Sequence, residues 1–256
     1  MRADSVLCKV TFEKNEWHFI SFQYDVQMSD VYALNNTDYV IRQYNSAKRA
    51  AATGDQTEQT GASNNWEDVP ADGVLQAGKG YIIQAANNTT NENGNYNDAV
   101  VVFPSRNTVT KNRLFTSNDI IVPLEEYAAE FAHNRSWNLV GNPYPCYFSM
   151  NQLKDEFYSP IVLWTGDSYQ AYSPIDDDII LRPYESFFVQ RPIDVEQMVF
   201  GARDVCTTTT LSRLPRPTLR SRVSTTLRHA ASTAHSATSS TSPSRVAAAT
   251  TAHASC

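Results

Sequence analysis

The chain is expected to be all-β: two related β-sandwich halves, jelly-roll-like or Ig-like, with a few short helices, followed by a disordered tail. Three observations lead there. Short runs rich in Val, Ile, Tyr, Phe and Trp recur along residues 1–200, with turn-forming residues between them. Two of those runs open on a tryptophan and are followed by matching runs in the same order. Beyond Phe200 the aromatic residues stop altogether.

The strand-like runs are 5–12, 17–24, 39–44, 80–84, 99–103, 119–122, 137–141, 161–164, 168–172, 186–190 and 197–200. Asp72-Gly73, Asn93-Gly94, Gly141-Asn142-Pro143 and Thr165-Gly166-Asp167 are the turn signals between them. Pro143 carries no backbone N–H and restrains Asn142, so the strand opened by Trp137 must end in a corner there. Phe22-Gln23 stands at the equivalent corner of the first half. Gly78 and Gly80, on either side of Lys79, permit a tight approach to the strand at 80. Ser29–Leu34 and Ser149–Phe157 each begin with a serine able to cap a helix, and Leu124–His133 is a third helical candidate.

The repeat is read from residue matches. Trp17-His18-Phe19-Ile20-Ser21-Phe22-Gln23-Tyr24 aligns with Trp137-Asn138-Leu139-Val140-Gly141-Asn142-Pro143-Tyr144, and Ile41 and Tyr44 align with Ile161 and Trp164, all at an offset of 120. Val74-Leu75 and Gly80-Tyr81-Ile82-Ile83-Gln84 then meet Ile180-Leu181 and Ser186-Phe187-Phe188-Val189-Gln190 at an offset of 106. The change of offset falls in Ser46 to Asn65, whose Ala, Thr, Gly, Gln and Asn read as a surface-loop insertion. Phe12 and Asn15 before Trp17 match Phe131 and Asn134 before Trp137. The expected units are residues 1–105, 106–200 and a tail, 201–256.

Charge separates body from tail. Residues 1–200 hold 14 Lys plus Arg against 26 Asp plus Glu, and all 19 Asn. Residues 201–256 hold seven Arg and one Asp, and 39 of the 56 are Thr, Ser, Ala or Arg, too little apolar area to offset chain entropy. An acidic body argues against nucleic acid as a partner, since it offers no basic face to displace counterions, and the tail's arginines are scattered. No apolar run is long enough for a membrane span. Met1-Arg2-Ala3-Asp4-Ser5 lacks the apolar region of a secretion signal, so the expectation is a cytoplasmic protein or a fragment of a longer secreted chain. Cys8, Cys146, Cys206 and Cys256 show no metal-like spacing; buried or incidental thiols are favoured, with a Cys8–Cys146 bridge as the alternative.

Candidate chemistry is sparse. The body has two histidines, His18 and His133, and no G-x-S-x-G, H-E-x-x-H or phosphate-loop pattern, so no catalytic residue is nominated. Asp176-Asp177-Asp178 is the densest acidic run and the one candidate for Ca²⁺, although a solvated turn is the favoured reading and no cofactor is expected. Trp164, Tyr169, Tyr172 and Tyr184 are the candidate ligand-binding residues, because exposed rings can present apolar faces to a sugar. Alternating aromatics more often fill a sandwich core, and core packing or routine surface exposure is preferred for all four. Trp17 and Trp137, set among apolar neighbours, are assigned to the core.

Trp137-Asn138-Leu139-Val140-Gly141-Asn142-Pro143-Tyr144-Pro145, followed by Ile161 to Pro174 and then Ser186-Phe187-Phe188-Val189-Gln190, resembles a β-sandwich module of secreted and surface proteins of Bacteroidetes. Trp17 to Phe22 and Leu75 to Gln84 resemble the partner module in the C-terminal part of their leucine-rich-repeat surface proteins. The resemblance covers roughly residues 5 to 200. It implies an extracellular or cell-surface location and a non-enzymatic structural or interaction role within a larger surface protein, with a cell-surface glycan or protein as the kind of partner. A carbohydrate-binding or adhesin module using exposed aromatics is the alternative. Gln23 stands where the first motif often has Pro, and Glu185-Ser186 replaces a Gly-containing approach to the last strand. Such proteins usually continue into a further folded region. The abrupt change after Gly201 reads either as an out-of-frame translation or as a mucin-like Ser/Thr linker.

Overall fold

The computed structural model describes residues 5–54, 65–105, 119–144, 146–150, 160–165, 168–173, 179–201 and 222–228. The chain is all-β, built from antiparallel sheets with few helical turns. The first strands are β1 (Ser5–Phe12), β2 (Trp17–Ser21), β3 (Val26–Gln27), β4 (Tyr32–Leu34), β5 (Thr37–Tyr44), β6 (Trp66–Asp68), β7 (Val74–Leu75), β8 (Gly80–Asn87) and β9 (Ala99–Ser105). There follow β10 (Ile120–Pro123), β11 (Trp137–Gly141), β12 (Phe148–Ser149), β13 (Ile161–Trp164), β14 (Tyr169–Tyr172), β15 (Ile180–Leu181), β16 (Ser186–Gln190), β17 (Gln197–Phe200) and β18 (Arg222–Arg228). After β5 the helix α1 (Ser46–Ala50) is capped by the Asn45 carboxamide, which accepts from Lys48 N–H at 2.9 Å.

Alternation along the strands explains the layering. One outer sheet, in the order β18-β1-β9-β4, faces an inner sheet, β2-β8-β5-β6. Their shared core takes Cys8, Val10 and Phe12 from β1, Ile20 from β2, Tyr81, Ile83 and Ala85 from β8, and Val101 and Phe103 from β9. The second inner sheet is β11-β16-β13-β14. It shares a separate core with the pair β10-β17, made of Val140, Ile161, Phe187, Val189, Ile120, Val122, Met198 and Phe200. The two-residue pairs β3-β7 and β12-β15 close one end of each core with Val26 and Leu75, and with Phe148 and Leu181.

Registers on the two inner sheets correspond residue for residue. Trp17 pairs with Gln84 and Ser21 with Gly80, while Trp137 pairs with Gln190 and Gly141 with Ser186. Ile41 lies opposite Ile83, as Ile161 lies opposite Val189. The paired glutamines also bond alike. Gln84 Nε2 donates to Asn15 O at 2.8 Å and Gln190 Nε2 donates to Arg135 O at 2.9 Å, each acceptor two residues ahead of its tryptophan.

Several local expectations are corrected. Ser29–Leu34 is a 3-10 turn, Met28–Asp30, followed by strand β4, because Val31 and Tyr32 favour extended backbone and Leu34 pairs with Val100. Leu124–His133 is irregular apart from a 3-10 turn at Ala132–Asn134, and Ser149 is in strand β12, with 151–159 outside the described residues. The strand from Trp17 stops at Ser21, short of the expected 17–24, whereas the strand from Trp137 ends at Gly141, the expected bound. Within the stretch expected to be disordered, Arg222–Arg228 form β18 along the free side of β1. Its β-branched Val223, Thr225 and Thr226 suit an extended ladder, and β1 supplies an unpaired edge to build on. Cys8 and Cys146 are buried in different cores and form no disulfide, so the alternative of a bridge between them is not realised. No helix among the described residues is long and apolar enough to cross a membrane.

Candidate functional site

The residues left over from the two cores meet at a seam between the inner sheets. On β2 and β16 the side chains alternate: Ile20, Phe187 and Val189 enter the cores, while Phe19 and Phe188 point the other way. Tyr44, Leu139 and Phe188 are buried at the seam, with Phe19, Trp66, Trp137, Val162 and Tyr169 packed around them. Phe188 is the hub. Its ring meets Tyr44 edge-on at 4.7 Å, Phe19 at 5.8 Å, Trp66 at 5.9 Å and Trp137 at 6.3 Å. Each such pair is worth about 0.5–1.5 kcal/mol beyond the area it buries.

Small residues let the backbones approach. A methyl group on Gly80 would fall 2.5 Å from Leu139 Cγ, and one on Gly141 would overlap the side chain of Ser21. Ser21 Oγ donates to Asn142 O at 2.9 Å, and Ser186 Oγ donates to Ile20 O at 2.5 Å. The main chain crosses the seam in the same reciprocal manner. Ser21 N–H donates to Tyr184 O at 2.9 Å, and Gly141 N–H donates to Gly78 O at 3.0 Å. Both acceptor residues are left-handed, Gly78 at φ 75° and Tyr184 at φ 60°, and they stand at equivalent places before β8 and β16. For Gly78 this costs nothing sterically; Tyr184 is held there by its buried ring.

The tryptophans assigned to the core are half-buried at strand starts and roofed by arginines instead. Arg42 lies over Trp17 at 5.2 Å while its Nε bonds Asp68 Oδ1 at 2.7 Å. Arg49, carried by α1, lies over Trp137 at 4.5 Å and donates to Tyr44 Oη and His133 O, both at 3.1 Å. Being first in its strand, each indole sits at the margin of a sheet, where a long cation covers a face of the ring.

The four ligand candidates are distributed over three environments. Trp164 and Tyr169 are cross-strand partners, 4.8 Å apart, at the rim of the seam. Phe19 stacks on Trp164 at 6.4 Å and touches Tyr169 at 6.0 Å, so protein occupies the inner side of both rings. Burial pushes the Tyr169 hydroxyl up to about 12, and the Trp164 indole N–H is buried with no partner among the described residues. Tyr172 packs against the second core. Tyr184 belongs to the first core at 4% exposure, beside Phe22 and within reach of the Cys8 thiol, which burial pushes up to about 12. The structure therefore brings Trp164 and Tyr169 together and separates the other two.

Asp176, Asp177 and Asp178 lie outside the described residues. Among the described residues no three His, Cys, Asp or Glu side chains gather as a metal would require. His18 stands against Phe12 at 5.3 Å, and burial lowers its pKa. Sequence reading passed over Phe19, Tyr44, Arg49, Trp66 and Phe188 as members of one site. The signal available was the exchange of Ser21 and Gly80 for Gly141 and Ser186 at matching positions, small residues where bulky ones would keep two sheets apart. No family model, curated protein or solved structure matches the chain.

Proposed function

We propose that the chain is a non-enzymatic structural and interaction region of a bacterial cell-surface or secreted protein, made of two copies of one sheet-on-sheet unit locked back to back. The observation that carries this reading is the reciprocal seam. Equivalent backbone groups of the two inner sheets bond each other across it, Ser21 N–H to Tyr184 O and Gly141 N–H to Gly78 O, in the manner of an isologous interface. Matching registers around Trp17 and Trp137 support duplication as its origin. A stack joined by a wide aromatic seam has little freedom to hinge, which suits a spacer that holds other parts of a protein at a fixed distance. The surface setting rests on the sequence resemblance alone. Antibodies raised against the folded region test it on cells of the source bacterium: labelling of intact cells is expected, and labelling only after permeabilisation would overturn it.

A second reading, carbohydrate binding, is favoured by one observation. Trp164 and Tyr169 form a pair of half-buried rings on β13 and β14, and β14 is the outermost strand of its sheet. A glycan array distinguishes the two readings. Binding lost on Trp164→Ala, with the fold retained, supports a sugar site, and an array without hits removes it.

A further inference from the structure

The outer sheet of the first core ends in a strand drawn from far along the chain. β18 pairs antiparallel with β1 over its whole length, from Ser5 opposite Arg228 to Thr11 opposite Arg222. The other side of β1 is taken by β9, from Val6 opposite Ser105 to Phe12 opposite Ala99. β1 therefore contributes Cys8, Val10 and Phe12 to the core while offering a second, complete row of backbone donors and acceptors. The strand that satisfies that row is outermost in its sheet, and among the described residues β1 is its one substantial neighbour. The ladder is made of backbone groups, which the same segment of any copy of the chain can supply equally. Twenty-one residues separate Phe200 from Arg222, enough to reach up to about 70 Å when extended. Within 222–228 there is neither proline nor glycine, whereas Pro215 and Pro217 shortly before it cannot donate to a ladder.

We propose that the free side of β1 is a strand-acceptor site, filled in cis by Arg222–Arg228 and open in trans to the same segment of a second copy. The cis strand enjoys the effective concentration of a tether, so exchange between copies needs high protein concentration or a broken cis strand. No part of this rests on the surface-protein reading.

The test uses the full chain carrying Ser224→Pro with Thr225→Pro: N–H groups alternate in direction along a strand, so one of the two that are lost faces β1. Hydrogen exchange of the segment Ser5–Phe12 should quicken about tenfold or more while β8 stays protected. A synthetic peptide of residues 220–230 should restore the protection, and the same peptide carrying both prolines should not. Unchanged exchange in β1 overturns cis occupancy. Quickened exchange that the peptide fails to reverse overturns the site in trans. Should the variant lose protection in β8 as well, the unaltered chain decides. Labelled peptide at millimolar concentration should then acquire slow exchange of its own, and a peptide that goes on exchanging freely overturns the proposal.

Discussion

The side chain of Ser21 rests against the α-carbon of Gly141, and its Oγ reaches past it to donate to Asn142 O at 2.9 Å. Strand β2 and strand β11 can lie this close because one of the two positions has no Cβ. Gly141→Ala should therefore destabilise the protein by about 1–3 kcal/mol through overpacking. Ser21→Gly in the same chain should recover part of that loss, less about 1 kcal/mol for the missing hydrogen bond. Urea denaturation of the two single variants and the double variant measures the coupling; strictly additive effects would show that the residues do not share one space.

Phe188 carries the seam, with Tyr44, Phe19, Trp66 and Trp137 all against its ring. Phe188→Ala should cost about 3–5 kcal/mol. Phe188→Leu, which keeps most of the volume and loses only the ring contacts, should cost markedly less. Calorimetry adds a sharper check: the unaltered chain should unfold in one transition, and the alanine variant should split it or broaden it. Equal losses for both substitutions would remove Phe188 from the centre of the interface.

Gln23 is 0% exposed, and neither atom of its carboxamide has a partner among the described residues. An unpartnered buried amide is costly, so Gln23→Met should stabilise the chain by about 1–2 kcal/mol. The melting temperature reads this directly. A decrease would mean that the amide is satisfied in solution.

His18 gives the expected pH dependence. Burial holds its pKa below the ordinary 6.5, so the unfolded chain binds a proton more readily than the folded one. The contribution of neutral His18 is complete above about 6.5. It is lost as the pH falls from there toward the lower folded value, at no more than about 1.4 kcal/mol per pH unit. Denaturation midpoints between neutrality and mild acid should fall for the unaltered chain and change less for His18→Phe, whose ring keeps the contact with Phe12. Parallel curves would exclude His18 as the cause.

The strands that could be read from sequence were those whose own composition decides their state. Ser5–Phe12, Trp17–Ser21, Ile161–Trp164 and Ser186–Gln190 are dense in β-branched and aromatic residues, and glycine, asparagine or proline marks many of the turns between them. The two-residue strands β3, β7, β12 and β15 were hidden because a pair that short is made by its partner, not by its sequence. The seam was hidden for a different reason. Phe187 and Phe188 are adjacent, identical residues whose rings enter different interiors, and only the stacking of a second sheet on the outward face makes Phe188 buried. Trp17 and Trp137 misled through their bulk: as first residues of their strands they lie at a margin, under arginines that no local pattern singles out. β18 escaped because its ladder partner lies more than two hundred residues away.

Tyr184 fills the first core although its codon comes late, after all of β1 to β15. During synthesis the N-terminal layers must therefore wait, with a hole beside Phe22 and Cys8, until most of the polypeptide has left the ribosome. Native closure of that interior has to follow the synthesis of residue 184, and chains stalled before it remain exposed to chaperones and proteases.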